Sequence, residues 1–271
     1  MGLLSCFRKV QHLGFVLSGD SLLRLRGDLS YSPADDIILP KGEISAIAAL
    51  SPRKIVIVCG SDIFLCSKKK IVKIYEGGTI KPLIGCCGKT LFAALNGRRQ
   101  IHQYNVKDRK FEPLCIKFQD EDEKLFSIGN SNVDSKTLCL VVYKQNEAIS
   151  RVLEVDLNTF DRRDLNCPGD VMAVYQCGDR IFATGSVSAQ NTKQFYELNC
   201  RTKTWVKRAD RTHGVTNQTT DKVLFVDGFF ISFVEKAASS GKEVIEVYDV
   251  KKEVWNSQDS EFSRIRAVAC C

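Results

Sequence analysis

The chain has 271 residues, of which 44% are apolar and 26% charged, and its formal net charge at pH 7 is +7. This balance is typical of a globular protein that buries a core, and it excludes an intrinsically disordered chain. No apolar run reaches the ~20 residues that a membrane-spanning helix needs. The start of the chain also lacks the pattern of a secretory signal, so we expect a cytoplasmic or nuclear protein that is not secreted.

Twelve cysteines would suit a disulfide-rich protein, but their positions indicate otherwise. Most lie in predicted strands beside Val, Leu and Ile, as Cys59, Cys66 and Cys139 do. The chain has no Cys-x-x-Cys motif and three histidines, so we expect neither a metal site nor a cofactor. We interpret the thiols as reduced, small core residues.

The predicted strands begin near residue 14. Residues 14–20, 21–26 and 29–31 read as three short strands of an incomplete group. A complete group of four strands follows, at 44–50, 54–58, 62–66 and 71–75. We name the four strands of such a group a to d, in chain order.

Four later copies share a more specific pattern. Strand c of each copy ends in Asn or Asp, and these residues recur about 40 to 50 positions apart. They are Asn105, Asp156, Asn199 and Asp249. An Asx side chain at this point caps a tight turn into strand d.

An aromatic residue opens strand d in three of these copies, as Phe111, Trp205 and Trp255. In the other copy, Phe160 comes two places early. Because an aromatic at the start of strand d can pack between neighbouring sheets, we expect Trp205 and Trp255 to be largely buried at equivalent places.

A repeat of this length made only of strands indicates a β-propeller. The prediction is an all-β, six-bladed propeller of four-stranded antiparallel blades, in one domain that spans residues 1–271. We expect residues 265–269 to pair with residues 14–19 as the missing strand a, which closes the ring and removes exposed edges. The alternative is closure by residues 2–7.

The pattern resembles the kelch-repeat propellers, and the blade count is similar to that of BTB-kelch ubiquitin-ligase adaptors. The matching residues are Tyr104-Asn105 with Phe111, Leu198-Asn199 with Trp205, and Tyr248-Asp249 with Trp255. The family's glycine doublet at the end of strand b is absent, so a WD40-type or unrelated propeller is the alternative. A BTB or BACK region is also absent from the pattern, so a ligase-linking part would be another chain.

The resemblance implies a non-catalytic scaffold or substrate-recognition adaptor that binds a partner protein or peptide. In such adaptors the face formed by the b–c and d–a loops holds the partner, often through arginines. The candidate partner-binding residues are Arg98, Arg99, Gln190, Arg211 and His213.

The opposite face of the predicted propeller, formed by the a–b and c–d turns, is basic. Such a face suggests an alternative function, the binding of RNA or of an anionic membrane lipid. Its candidate residues are Lys68, Lys69, Lys70, Lys107, Arg109, Lys110, Arg201, Lys203, Lys251 and Lys252.

Motifs for catalysis are missing, because the three histidines are scattered and neither a Gly-x-Ser-x-Gly sequence nor a phosphate-cradling loop is present. We therefore expect a monomeric propeller that is not an enzyme. Whether Gly2, Cys6 or the terminal Cys270-Cys271 pair carries a lipid is left open by the sequence.

Overall fold

The computed structural model describes residues 13–27, 29–68, 70–95, 99–116, 118, 122–131, 135–144, 149–177, 180–185, 193–213, 222–226, 228–235, 242–263 and 265–270. Every regular element within these ranges is a β-strand. None of the described residues forms a helix long and apolar enough to cross a membrane.

The strands of the first half follow one another as antiparallel meanders, which we call units. Unit 1 contains β1 (Gly14–Ser18), β2 (Ser21–Leu25) and β3 (Tyr31–Pro33). Unit 2 contains β4 (Ile44–Ser51), β5 (Lys54–Cys59), β6 (Asp62–Ser67) and β7 (Ile71–Tyr75). Unit 3 contains β8 (Leu83–Cys87), β9 (Thr90–Leu95), β10 (Gln100–Asn105) and β11 (Lys110–Pro113).

The second half repeats the same arrangement. Unit 4 contains β12 (Glu123–Ile128), β14 (Thr137–Lys144), β15 (Ile149–Asp156) and β16 (Arg162–Asp164), with the two-residue β13 (Asn130–Ser131) after its first strand. Unit 5 contains β17 (Ala173–Cys177), β18 (Arg180–Thr184), β19 (Phe195–Asn199) and β20 (Thr204–Lys207). Unit 6 contains β21 (Val223–Val226), β22 (Phe229–Glu235), β23 (Lys242–Asp249) and β24 (Val254–Ser263), and β25 (Ile265–Cys270) follows.

The sequence predicted separate four-stranded sheets, and the structure corrects this in one respect. Units 1, 2, 4 and 6 are separate four-stranded sheets, whereas units 3 and 5 belong to one nine-stranded sheet. The link is β13, which pairs in parallel with β8 on one side and with β17 on the other. The prediction of purely antiparallel pairing is therefore wrong at this point, because β13 inserts between two inner strands and joins them.

The C-terminal strand completes unit 1, as expected. β25 pairs antiparallel with β1, and the register places Gly14 opposite Cys270 and Val16 opposite Val268. The two backbones approach closely, since a Cβ atom added at Gly14 would lie 2.2 Å from the carbonyl oxygen of Ala269. The alternative closing segment, residues 2–7, lies outside the described residues.

The first strands of the units surround a common hub. β25 contacts β4 and β21, β4 contacts β8, and both β8 and β17 contact β12. A cavity of about 30 Å³, which we call the hub cavity, lies among these strands. Its lining includes Ala48, Cys86, Ser131, Gln176, Phe225 and Ala269, which belong to β4, β8, β13, β17, β21 and β25.

The core consists of apolar layers between neighbouring units, and β18 shows how the sequence produces them. Its residues Ile181 and Ala183 pack in a cluster with unit 4, whereas Phe182 between them packs in a cluster with unit 6. Side chains alternate across a strand, so a continuous apolar run can fill two layers at once. Burial of a side chain such as Phe182 contributes about 2–3 kcal/mol.

Thiols are part of these layers. Cys66, Cys86 and Cys139 are buried, and the described cysteines form no disulfide with one another. Burial raises the pKa of Cys66 and of Cys86 to about 12, because the thiolate would be poorly solvated there. This placement agrees with the interpretation of these thiols as core residues.

Candidate functional site: an arginine cleft on the c–d turn face

Four c–d turns share one geometry, which the Asx residues create. The side-chain oxygen of Asn199 accepts hydrogen bonds from the backbone N–H groups of Arg201 (3.0 Å) and Thr202 (3.2 Å). Asn105, Asp156 and Asp249 accept the two equivalent bonds in units 3, 4 and 6. The predicted Asx caps are therefore confirmed in all four units.

The fourth residue after each Asx adopts a left-handed backbone conformation. These residues are Arg109 (φ 55°), Phe160 (φ 62°), Lys203 (φ 55°) and Glu253 (φ 56°). Glycine is the residue that adopts this conformation without steric cost, yet none of the four is glycine. The early position of Phe160 is explained, because it occupies this turn position and not the start of strand d.

The two tryptophans lie at equivalent places, as predicted. Trp205 pairs with Leu198 across β19 and β20, and Trp255 pairs with Tyr248 across β23 and β24. Each indole N–H bonds a backbone carbonyl in the segment that leaves the preceding unit, at Leu165 (2.7 Å) and Ala209 (2.9 Å). Both side chains are half-buried and not largely buried, because strand d forms the outer edge of each unit.

The predicted basic residues that the structure describes lie in c–d turns, except Lys110, which is the first residue of β11. Lys68, Lys70, Lys107, Arg109, Lys110, Arg201, Lys251 and Lys252 are exposed, Lys203 is half-buried, and Lys69 lies outside the described residues. Several are neutralised locally. Lys203 pairs with Glu154 of unit 4 at 3.5 Å, Lys110 with Glu112 at 3.4 Å, and Lys252 with Asp249 at 3.3 Å.

Arginines concentrate on this face beside unit 5. A cleft of about 620 Å³, which we call the arginine cleft, is lined by Arg180, Glu197, Leu198, Asn199, Cys200, Arg201, Val206 and Arg208. β18 supplies Arg180 at its first residue, β19 supplies Glu197 to Asn199, and Arg201 belongs to the turn that Asn199 caps.

Glu197 organises the cleft. Its side chain is 8% exposed, and its two oxygens accept hydrogen bonds from different arginines. The Nε of Arg180 lies 2.6 Å from Oε1, and the Nε of Arg208 lies 2.9 Å from Oε2. The guanidinium carbon of Arg180 also lies 5.8 Å from the ring centroid of Phe182, within the limit of about 6 Å for a cation–π contact. Both guanidinium groups are therefore held in place before any ligand binds.

Unit 6 contacts the cleft residue Arg208. Nη1 of Arg208 donates to Oε1 of Glu253 at 2.6 Å, and Glu253 is the residue in the left-handed turn position of that unit. The neighbouring hydroxyl of Tyr248 is buried and has no hydrogen-bond partner among the described residues. Burial raises the pKa of Tyr248, and the positive charge of Arg208 opposes that rise.

Two of the candidate partner-binding residues, Arg211 and His213, are placed differently from the expectation. Arg211 is 2% exposed, so it is not an exposed loop contact, and its guanidinium pairs with Glu246 inside unit 6. His213 is half-buried, and its backbone N–H and Nδ1 lie 2.7 and 3.2 Å from Oε1 of the same carboxylate. Arg99 is exposed, and Arg98 and Gln190 lie outside the described residues.

The sequence did not single out Glu197 or Arg208. A signal was present, because Glu197 interrupts the apolar strand Phe195–Asn199, and a carboxylate in such a strand requires a cationic partner. The identity of that partner depends on how the segment after β20 returns across the sheet. Among the described residues, no group of three or more His, Cys, Asp or Glu side chains could hold a metal ion.

Solved structures with a similar fold are propellers of different kinds. TolB from Acinetobacter baumannii matches with a TM-score of 0.68 and 11% identity, over 96% of this chain and 66% of TolB. The WD40 repeats of RRP9 match with a TM-score of 0.58 and 10% identity, over 83% of this chain and 67% of that one. An oligogalacturonate lyase in complex with manganese matches with a TM-score of 0.56 and 10% identity, over 91% and 72%.

Sequence comparisons add no closer relative. No protein-family model matches the chain, and no curated protein matches it. The chain spans just under two thirds of the length of TolB. At these low identities the structural matches show the fold alone, and that fold is an all-β propeller.

Proposed function

We propose that this protein is a non-catalytic protein-interaction scaffold built on a six-bladed propeller. In this proposal the six units act as the blades, although units 3 and 5 share one sheet, and the pairing of β25 with β1 would close the ring. The similarity to the WD40 repeats of RRP9 supports a role in protein interaction in general, since propellers present turns and loops on a rigid support.

The size of the hub cavity is the observation that carries this proposal. At about 30 Å³ the cavity has room for a few water molecules and for no substrate. The arginine cleft, at about 620 Å³, lies on the outside of the ring and is in the size range of ligand sites. Binding at the surface therefore fits the molecule better than chemistry in a central channel.

A kelch-type adaptor is the more specific form of the proposal. The four Asx-capped turns and the equivalent hydrogen bonds of Trp205 and Trp255 support it. We also propose a reducing compartment, the cytoplasm or nucleus, because buried thiols such as Cys66 and Cys86 serve as core side chains.

The proposal is tested by isolating complexes of the full-length chain from cells that express it. We expect one protein partner at a fixed stoichiometry by size-exclusion chromatography with light scattering, and we expect the complex to survive nuclease and mild detergent. Recovery of the chain without a stoichiometric protein partner would contradict the scaffold role.

The alternative, binding of RNA or anionic lipid by the basic turns, is measured in parallel. Single-stranded RNA and phosphatidylserine vesicles are titrated at several salt concentrations, with a variant that carries glutamate at Lys68, Lys70, Lys107 and Lys110. Binding that falls steeply with salt and is absent in the variant would replace the scaffold by this alternative. We expect weak binding, because carboxylates such as Glu112, Asp249 and Glu253 lie among the cations.

A further inference from the structure

We propose that the arginine cleft binds the phosphate group of a phosphorylated serine or threonine in a partner protein. This inference rests on the proposed scaffold function and assigns it a ligand chemistry. The recognising groups are the guanidiniums of Arg180, Arg201 and Arg208, and the partner is a peptide segment that crosses the c–d turn face between units 5 and 6.

Unused donors are the first argument. Arg180 and Arg208 each contact Glu197 through Nε, so this carboxylate uses one donor of each guanidinium. Within the part of the chain that the structure describes, the terminal nitrogens of Arg180, Nη2 of Arg208 and the whole guanidinium of Arg201 contact no acceptor. A phosphate monoester presents three acceptor oxygens and is the ligand that several converging guanidiniums bind best.

Charge is the second argument. The lining side chains carry three arginines and one glutamate, which leaves two positive charges. A phosphorylated side chain carries about −1.5 to −2 at pH 7, so it balances the cleft more closely than a single carboxylate does. Glu253 pairs with Arg208 and has 54% of its side chain exposed. Its negative charge reduces the excess positive charge that a ligand extending towards unit 6 would meet.

Preorganisation is the third argument. Glu197 is almost fully buried and forms ion pairs with two of the arginines. The ring of Phe182 also makes a cation–π contact with Arg180. Because these side chains are already ordered, a ligand does not have to immobilise them when it binds.

The lining favours a peptide over a nucleic acid or a lipid surface. None of the described residues that line the cleft is aromatic, so they offer no platform on which a base could stack. Glu197 and Glu253 would repel the second phosphate of a continuous backbone or of an anionic membrane. Val206, which is 41% exposed, and Cys200 provide contacts for the residues that flank a phosphorylated side chain.

The test uses three peptide pools with randomised flanking positions, whose central residue is phosphoserine, serine or glutamate. Binding of each labelled pool to the full-length protein is measured by fluorescence anisotropy at physiological ionic strength. We expect the phosphoserine pool to bind at least about tenfold more tightly than the serine pool, and more tightly than the glutamate pool. We also expect inorganic phosphate at millimolar concentration to compete.

Arg201→Ala is the principal variant, because Arg201 makes no ion pair among the described residues and its loss should leave the fold intact. It should weaken phosphoserine binding about fivefold or more, and Arg201→Lys should restore it in part, since lysine keeps the charge but not the forked geometry. Arg163→Ala is the matched control. Arg163 is an exposed arginine of unit 4, on β16 and outside the cleft, so its replacement should change binding less than twofold.

Each other outcome overturns the inference. Equal binding of the phosphoserine and serine pools would exclude phosphate recognition. Equal binding of the phosphoserine and glutamate pools would make the cleft a general acidic-peptide site. Equal losses in Arg201→Ala and Arg163→Ala would indicate attraction by net charge, and tighter binding of single-stranded RNA at the same arginines would change the class of partner. If a stoichiometric protein complex forms and is unaffected by Arg201→Ala, the scaffold function stands and this inference fails.

Discussion

Arg211 and Glu246 form an ion pair from which solvent is excluded, with Nη2 of the arginine 2.8 Å from Oε2 of the carboxylate and neither side chain exposed. Arg211 comes from the segment after unit 5, and Glu246 lies on β23 of unit 6. The guanidinium also donates to Thr184 of unit 5 and to Ser232 of unit 6, and it lies 5.2 Å from the ring of Trp255. The pair therefore joins two adjacent units.

Replacement of Arg211 by methionine should destabilise the protein by about 3–5 kcal/mol, because it leaves the buried carboxylate of Glu246 without its cation. The free energy of unfolding is measured by urea denaturation. The double variant Arg211→Met with Glu246→Leu should recover most of that loss, since it removes both charges. A single variant as stable as the wild type would show that Glu246 is satisfied by another group.

Trp255 should contribute more to stability than its half-buried surface suggests. Its ring lies 5.0 Å from that of Phe195 and 5.1 Å from that of Tyr248. Trp255→Ala should cost about 3–5 kcal/mol in thermal or urea unfolding, by loss of this aromatic packing. The matched variant Trp205→Phe keeps most of the ring but loses the bond to Leu165, so it should cost about 1 kcal/mol. Equal, small effects of both would contradict the packing seen here.

Arg109 lies in a left-handed conformation that a non-glycine residue adopts at a cost. Arg109→Gly should therefore raise the free energy of unfolding by about 0.5–1 kcal/mol. Lys107, in the same turn and without a positive φ, supplies the control. Lys107→Gly should be neutral or destabilising by about 0.5 kcal/mol, because glycine there only adds freedom to the unfolded chain. A loss of stability in Arg109→Gly would show that the arginine makes compensating contacts.

Removal of residues 264–271 should open the edge of β1. That edge is paired with β25 along residues Gly14 to Ser18. We expect a lower melting temperature and concentration-dependent aggregation, measured by calorimetry and light scattering, because an unpaired edge strand recruits other chains. A truncated protein that melts like the full chain and stays monomeric would favour closure by residues 2–7.

A point substitution tests the pairing of β25 with β1 without removing any residues. Gly14→Ala would place a methyl group against the carbonyl of Ala269, whereas nothing lies within 4 Å of a Cβ atom added at Gly78. Gly14→Ala should therefore reduce the free energy of unfolding by about 1–3 kcal/mol and lower the melting temperature by several degrees. Gly78→Ala should change neither quantity. Equal melting temperatures would mean that β25 can shift away from β1 without loss.

Local patterns predicted the strands and their turns well. The Asx residues at 105, 156, 199 and 249 cap the turns as expected, because a cap needs backbone groups two and three residues away and nothing else. The C-terminal strand pairs with β1, as the alternation of its small residues indicated. The union of units 3 and 5 was not predicted, because the two-residue β13 has too few positions to show a periodicity.

Positions of side chains relative to other units were less predictable. Arg211 and Arg208 are close in sequence and alike in chemistry, yet the first is buried on Glu246 and the second lines the arginine cleft. Which carboxylate each arginine meets depends on contacts between segments that lie 11 residues apart for Arg208 with Glu197 and 35 residues apart for Arg211 with Glu246.

The sequence alone thus determined the repeating four-stranded pattern, the turn geometry and the apolar faces of each strand, since all of these depend on neighbours within a few residues. Only the tertiary structure decided which charges meet within unit 5 and across its boundary with unit 6. Glu197 and Glu246 are both buried glutamates on the third strand of a unit. Strand pairing and the return of the chain after β20 place Arg180 and Arg208 on Glu197, whereas packing between units 5 and 6 buries Arg211 on Glu246.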